Sequence, residues 1–143
     1  MDLIMVSNDD LNKNKMNKKT YKYSICICNY NMADTIEKAL ISVLDQVDER
    51  FEILVIDDGS SDDSIKVIKK LKKKYNNLRL IKLKRDKKRE LGETRNISIR
   101  EAKGEYVILH IDADDVWEPF LISFIRLFHR LENLLKKDVL VSG

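Results

Sequence analysis

Short apolar runs alternate with amphipathic stretches along almost the whole chain, and this alternation constrains the fold more than any other feature. The runs "YSICIC" (23–28), "FEILVID" (51–57), "LRLIKL" (78–83) and "EYVILHI" (105–111) have strand length, and "ICIC", "EILVI" and "YVILHI" within them read as continuously apolar. Between the first two lies a helical stripe starting near Asp34, with Ile36, Ala39, Leu40, Val43, Leu44 and Val47 on one face. A second helix carries Ile65, Ile68 and Leu71, with Asp62 or Ser61 placed to cap its free amides. A third is expected from about Glu93 to Ala102, with Gly104 supplying a left-handed end. A long fourth starts near Pro119, and a fifth strand-like run, "DVLVS" (138–142), follows it. The pattern predicts strands near 23–28, 52–57, 78–83 and 105–111 in a mainly parallel sheet, covered on both faces: an alternating α/β three-layer sandwich.

Residues 1–20 lack periodicity and read as a mobile leader, leaving 21–143 as one domain. The 143 residues are enough for a real core, and 43% apolar with 36% charged residues describes a globular chain. A net charge of +3 gives no argument for nucleic acid. No apolar run reaches the roughly 18–20 residues that span a bilayer, and no signal peptide is legible. Cys26 and Cys28 are expected on opposite faces of one strand, badly placed to bridge each other. They read as core thiols of a reducing, cytoplasmic compartment. His110 reads as a core histidine, His129 as a helix-surface residue, and the lysine run 66–74 as a solvated helix face, with membrane-surface attraction the minor reading.

In parallel sheets of this kind ligands bind beyond the carboxyl ends of the strands. Tyr30 and Asn31 follow the first strand, Asp57 and Asp58 end the second, and Asp112, Asp114 and Asp115 end the fourth. Three carboxylates within four residues repel one another unless a cation or hydrogen-bond donors sit there. Oxygen ligands favour a hard cation such as Mg²⁺ or Mn²⁺ over zinc, with open positions for water and the phosphates of a nucleoside diphosphate. An acidic turn capping the next helix is the plainer alternative. In "DDGSSDD" the Asp, Gly and Ser residues are turn formers in their own right. Functionally, Asp58 would accept a hydrogen bond from a base or ribose, and Gly59 would let the backbone turn close to the ligand. Tyr30 would stack on a nucleobase or pack on the following helix. Arg95 would pair with a diphosphate or a nearby Asp.

Together, "NYN" after the first strand, "VIDDGSSDDS", "GETRN", "AKGEYVILHIDADD" and the following "EP" resemble the family 2 glycosyltransferases of GT-A fold, from about Tyr23 to the chain end. The resemblance implies a nucleoside-diphosphate-sugar donor (a UDP-sugar favoured), a divalent metal, Mn²⁺ or Mg²⁺, and inversion at the sugar carbon. By position, Tyr30 matches the base-stacking residue, Asp58 the aspartate that reads base or ribose, and Arg95 the segment flanking the donor. Asp112 and Asp114 match the metal motif, with Asp115 beside them. Asp114 and Asp115 are the expected ligands, and Asp112 is expected on the ribose or a metal-bound water. Many members have Pro-Thr before Tyr-Asn, where Cys28 and Asn29 stand here. The general base is expected beyond Gly143, the acceptor is unspecified, and a homodimer or an association with the inner membrane face is compatible with this reading. A non-catalytic nucleotide-sugar-binding module is the alternative. A phosphoacceptor receiver would need its acidic pair after the first strand, which ends in "CNYN", and no G-x-G-x-x-G marks a dehydrogenase.

Overall fold

The computed structural model describes residues 4–7 and 21–141. The elements run β1 (Ile4–Ser7), β2 (Tyr21–Asn29), α1 (Ala33–Leu44), β3 (Phe51–Asp57), α2 (Ser64–Lys72), β4 (Leu78–Lys82), α3 (Leu91–Glu101), β5 (Gly104–Asp112) and α4 (Leu121–Val141). The sheet order is β1-β5-β2-β3-β4. Strands β5, β2, β3 and β4 are parallel, and β1 adds an antiparallel edge. All four strands expected from the apolar runs are present. The chain walks outward through β2, β3 and β4, then returns to lay β5 on the other side of β2. The strand order therefore reverses between β2 and β5, where a crevice opens in sheets of this type.

Strand β3 is buried at every position, as a central strand covered on both faces must be. One core layer packs Ile25, Ile27, Phe51, Ile53 and Val55 against Ile36, Leu40 and Val43 of α1 and Ile122 and Ile125 of α4. The other packs Cys26, Leu54, Ile56 and Val107 against the α3 side. The cysteines are free; two residues apart in an unbroken register with β3, they share one face of β2 rather than the opposite faces expected of them, and burial pushes the Cys26 thiol up to about 12. The lysines of α2 face solvent, as expected.

Five further expectations are corrected. Residues 4–7 of the expected leader form an edge strand; the rest of that segment lies outside the described residues. The run 138–142 does not start a strand: α4 continues through Val141. No Gly or Pro interrupts it, an established helix extends cheaply, and strand propensity counts only where a neighbouring strand is available. The helix begins at Leu121 rather than at Pro119, after Phe120 at φ 75°. Gly104 is not a left-handed helix end but the first residue of β5. A Cβ there would stand 2.5 Å from the backbone nitrogen of Ser24, so glycine is needed for close approach. His129 is buried, its Nδ1 hydrogen-bonded to the Tyr23 hydroxyl at 2.8 Å and its ring edge-on to Tyr106. The side chain of His110 lies outside the described residues.

A buried carboxylate ties the layers together. Glu52 accepts from Arg79 Nη1 at 2.6 Å and from Ser24 Oγ and the Lys103 amide at 2.5 Å each. Burying an ionised group is tolerable only with such full pairing.

Candidate functional site

Asn29, Asp57 and Asp112 end their strands level with one another, Asn29 beside Asp57 and Cys28 beside Asp112. The loop after β3 is built first. Asp57 is buried and spends its carboxylate internally, accepting from Asn29 Nδ2 at 2.8 Å and from Ser60 through its amide (2.8 Å) and hydroxyl (2.6 Å). Gly59 turns at φ 76°, and a Cβ there would meet the Arg85 backbone at 2.6 Å. The close approach is thus to the neighbouring loop of the chain itself.

The loops after β2 and β3 are stitched together. Asn31, at φ 49°, accepts from the Ser61 amide at 2.8 Å through its side chain and donates its own amide to Ser60 Oγ at 2.9 Å. Asn tolerates this left-handed conformation better than most residues. Met32, the N-cap of α1, makes no side-chain cap. Helix α1 instead receives its caps from the next loop: Ser64 Oγ accepts from the Met32 amide and Asp62 from the Ala33 amide. Asp62 also accepts from the Ser64 amide at 3.0 Å, the capping role expected for it. Desolvation acts to raise its carboxyl, and these bonds together outweigh it and hold the group below the usual range.

This rigid edge frames a cleft of about 380 Å³ between β2 and β5, lined among others by Cys28, Tyr30, Asp58, Arg85, Asp112 and Asp114. Tyr30 and Asp114 are exposed, whereas Asp58 is nearly buried. Asp58 is gripped by two guanidinium groups, Arg85 at 2.6 Å on one oxygen and Arg89 on the other. Arg85 also lies 4.1 Å over the centre of the Tyr30 ring. Burial pushes the Cys28 thiol up to about 11, so it lines the cleft as a neutral group.

The acidic turn after β5 is held differently. Oxygens of Asp112, Asp114 and Asp115 lie within 4.8 Å of one another. Arg95 reaches Asp112 at 3.4 Å, and Asp115 accepts from the Asp112 amide at 3.2 Å. A set of carboxylate oxygens this close, open on the cleft side, fits a hard divalent cation that keeps positions for water and phosphate.

The structure therefore brings Tyr30, Asp58, Asp112 and Asp114 to one cleft. Asp57 stands behind it as a builder of the loop, and Arg95 lies to one side, paired with Asp112. Arg85 and Arg89 escaped the sequence reading. Their signal was available: a basic stretch directly after β4 arrives at the same sheet edge as the aspartates.

Residues 24–135 match the model for glycosyl transferase family 2. A cholesterol galactosyltransferase of Borreliella burgdorferi is 35% identical over 73% of this chain and 28% of its own length. An Escherichia coli UDP-Glc:α-D-GlcNAc-diphosphoundecaprenol β-1,3-glucosyltransferase is 32% identical over 84% of this chain and 49% of its own. Staphylococcus aureus TarS, solved in complex with UDP-GlcNAc, superposes with a TM-score of 0.67 at 29% identity, over 75% of this chain and 30% of that one. The chain thus spans half or less of the length of these relatives.

Proposed function

The chain belongs to glycosyl transferase family 2 and has its GT-A architecture, and from that premise we infer that it forms the donor site of an inverting, metal-dependent glycosyltransferase using a UDP-sugar. The observation that carries this reading is the meeting, in one cleft at the switch between β2 and β5, of an aromatic platform, a carboxylate held by arginines, and an open acidic turn.

Tyr30 stacks the base, and Asp58, fixed by Arg85 and Arg89, accepts a hydrogen bond from the base or ribose. Asp114 and Asp115 would hold Mn²⁺ or Mg²⁺, and Asp112 would face the ribose or a metal-bound water. The cation, when bound, supplies positive charge against the diphosphate that these carboxylates would otherwise repel and stabilises it as a leaving group. Asp57 acts through the loop it builds, and Arg95 steadies Asp112. Transfer to an acceptor hydroxyl follows the family's chemistry.

Titration calorimetry with UDP-, GDP- and dTDP-sugars, with Mn²⁺ and with excess chelator, tests the reading. The expected result is binding of a UDP-sugar in Mn²⁺ that weakens strongly in chelator. Equal binding in both conditions rejects the metal assignment, and no binding of any nucleotide sugar rejects the donor site.

A further inference from the structure

A second cavity, of about 670 Å³, opens at the other end of the sheet, between the starts of β2 and β3 and the flank of α4. Tyr23, which lines it, lies near the start of β2, and Tyr30, which lines the donor cleft, follows its end; seven residues separate them, about 23 Å at strand spacing. The two sites are separate.

Four cations line this cavity, Lys22, Arg50, Arg126 and Arg130, and among the described residues none of its lining is acidic. Two carboxylates pair with these cations. Asp48 accepts from both Arg50 at 2.8 Å and Arg126 at 2.7 Å, and Glu105 holds Lys22 at 3.2 Å. One carboxylate between two guanidinium groups leaves a positive excess and fixes the forks in place. Arg126 Nε is buried, with no hydrogen-bond partner among the described residues. Such a donor normally has a partner.

The rim is apolar. Leu127 and Leu134 line the cavity, and with Phe124, Phe128 and Leu131 they form a stripe at helical spacing along the outer side of α4, extended by Phe120 just ahead of it. Every one of these six side chains is at least 48% exposed. The inner side of the same helix is already used by Ile122, Ile125 and His129. A helix with apolar residues outward and arginines along that stripe's flank has the arrangement of a segment lying in a bilayer interface. Among the described residues no helix is long and apolar enough to cross a membrane.

We propose that α4 and the basic cavity beside it dock on an anionic lipid bilayer. The Phe124–Leu134 stripe enters the headgroup boundary, and Arg50, Arg126, Arg130 and Lys22 take the lipid phosphates. The charge of the cavity selects the occupant: a neutral apolar partner would leave the cations unmatched. This surface goes beyond the donor-site reading and does not depend on it.

The test is co-sedimentation of the whole chain with phosphatidylglycerol or phosphatidylcholine vesicles, with circular dichroism as the check on folding. The expected result is binding to phosphatidylglycerol only. The Phe124→Ser/Phe128→Ser double variant and, separately, Arg130→Glu should each lower the bound fraction at least tenfold. Asp114→Asn should bind vesicles as wild type does, which separates this test from that of the donor site. Inorganic phosphate at matched phosphate concentration should not compete. The proposal is overturned if phosphatidylglycerol vesicles do not retain the chain, or if Arg130→Glu, which replaces an exposed side chain, binds as wild type. It is overturned too if inorganic phosphate abolishes binding, which would mark a free-anion site. Finally, it fails if light scattering finds a dimer that the double variant breaks while vesicles retain neither protein.

Discussion

The two acidic loops at the carboxyl edge of the sheet look alike in sequence and are built on opposite principles. After β3, the carboxylates are satisfied from within: Asp57 by Asn29 and Ser60, Asp58 by Arg85 and Arg89. After β5, three carboxylate oxygen sets crowd within 4.8 Å, with one guanidinium at 3.4 Å and one backbone amide as neighbours. The first loop is complete as folded and positions others; the second gains most from a cation it does not itself contain. Loss of a carboxylate should therefore damage the fold in one loop and the ligand response in the other.

The largest effect is expected from Asp57→Ala. It removes the shorter of the two acceptors of the buried Asn29 amide, leaving Ser60 Oγ at 3.2 Å, and frees the Ser60 turn, and unsatisfied buried groups cost about 1–3 kcal/mol each. A loss of about 3 kcal/mol in urea unfolding is expected, whereas Asp114→Ala should stay within about 0.5 kcal/mol, the usual range for exposed positions. Equal losses would erase the contrast between the loops.

Next comes Asp114→Asn. It keeps the shape and removes one charged ligand, so UDP-sugar affinity in Mn²⁺ should fall on the order of thirtyfold, about 2 kcal/mol, with little change in chelator. An unchanged Mn²⁺ dependence would place the cation elsewhere.

Tyr30→Ala should weaken binding by about tenfold, near the lower end of the stacking range. The reason is that Arg85 already covers the ring and must yield its place to the base. Arg85→Ala makes this sharper: if it strengthens base stacking while loosening Asp58, the nucleotide's enthalpy of binding should change more than its affinity.

The smallest effect lies away from both loops. The Arg50 guanidinium, helped by its backbone amide and Arg126, holds the Asp48 carboxyl down to about 2, from the usual 3.8. A depressed folded-state value stabilises the protein above the unfolded value and stops doing so as pH falls through the folded one. The Asp48 contribution should therefore be complete above about pH 4 and lost toward pH 2, and Asp48→Asn should flatten that part of the acid unfolding curve. Because the carboxylate is partly exposed, solvent screening keeps the change modest.

Much of this was legible in the linear chain. The strand runs are apolar because buried parallel strands are covered on both faces, and the aspartates and Tyr30 sit where those runs end. Local spacing thus determined the α/β class, the four parallel strands and the edge at which the chemistry gathers. What the chain could not declare was which polar group would meet which. Asp57 and Asp58 are neighbours of the same type. One is buried behind the loop and the other faces the cleft, because successive residues leaving a strand point to opposite sides and Ser60, Arg85 and Arg89 arrive from elsewhere. The burial of His129, the fit of Gly104 against Ser24, the role of Glu52 and the length of α4 were likewise set by partners distant in sequence. Periodicity is a property of consecutive residues and survives without a fold; hydrogen-bond pairing and close approach exist only once the layers have packed.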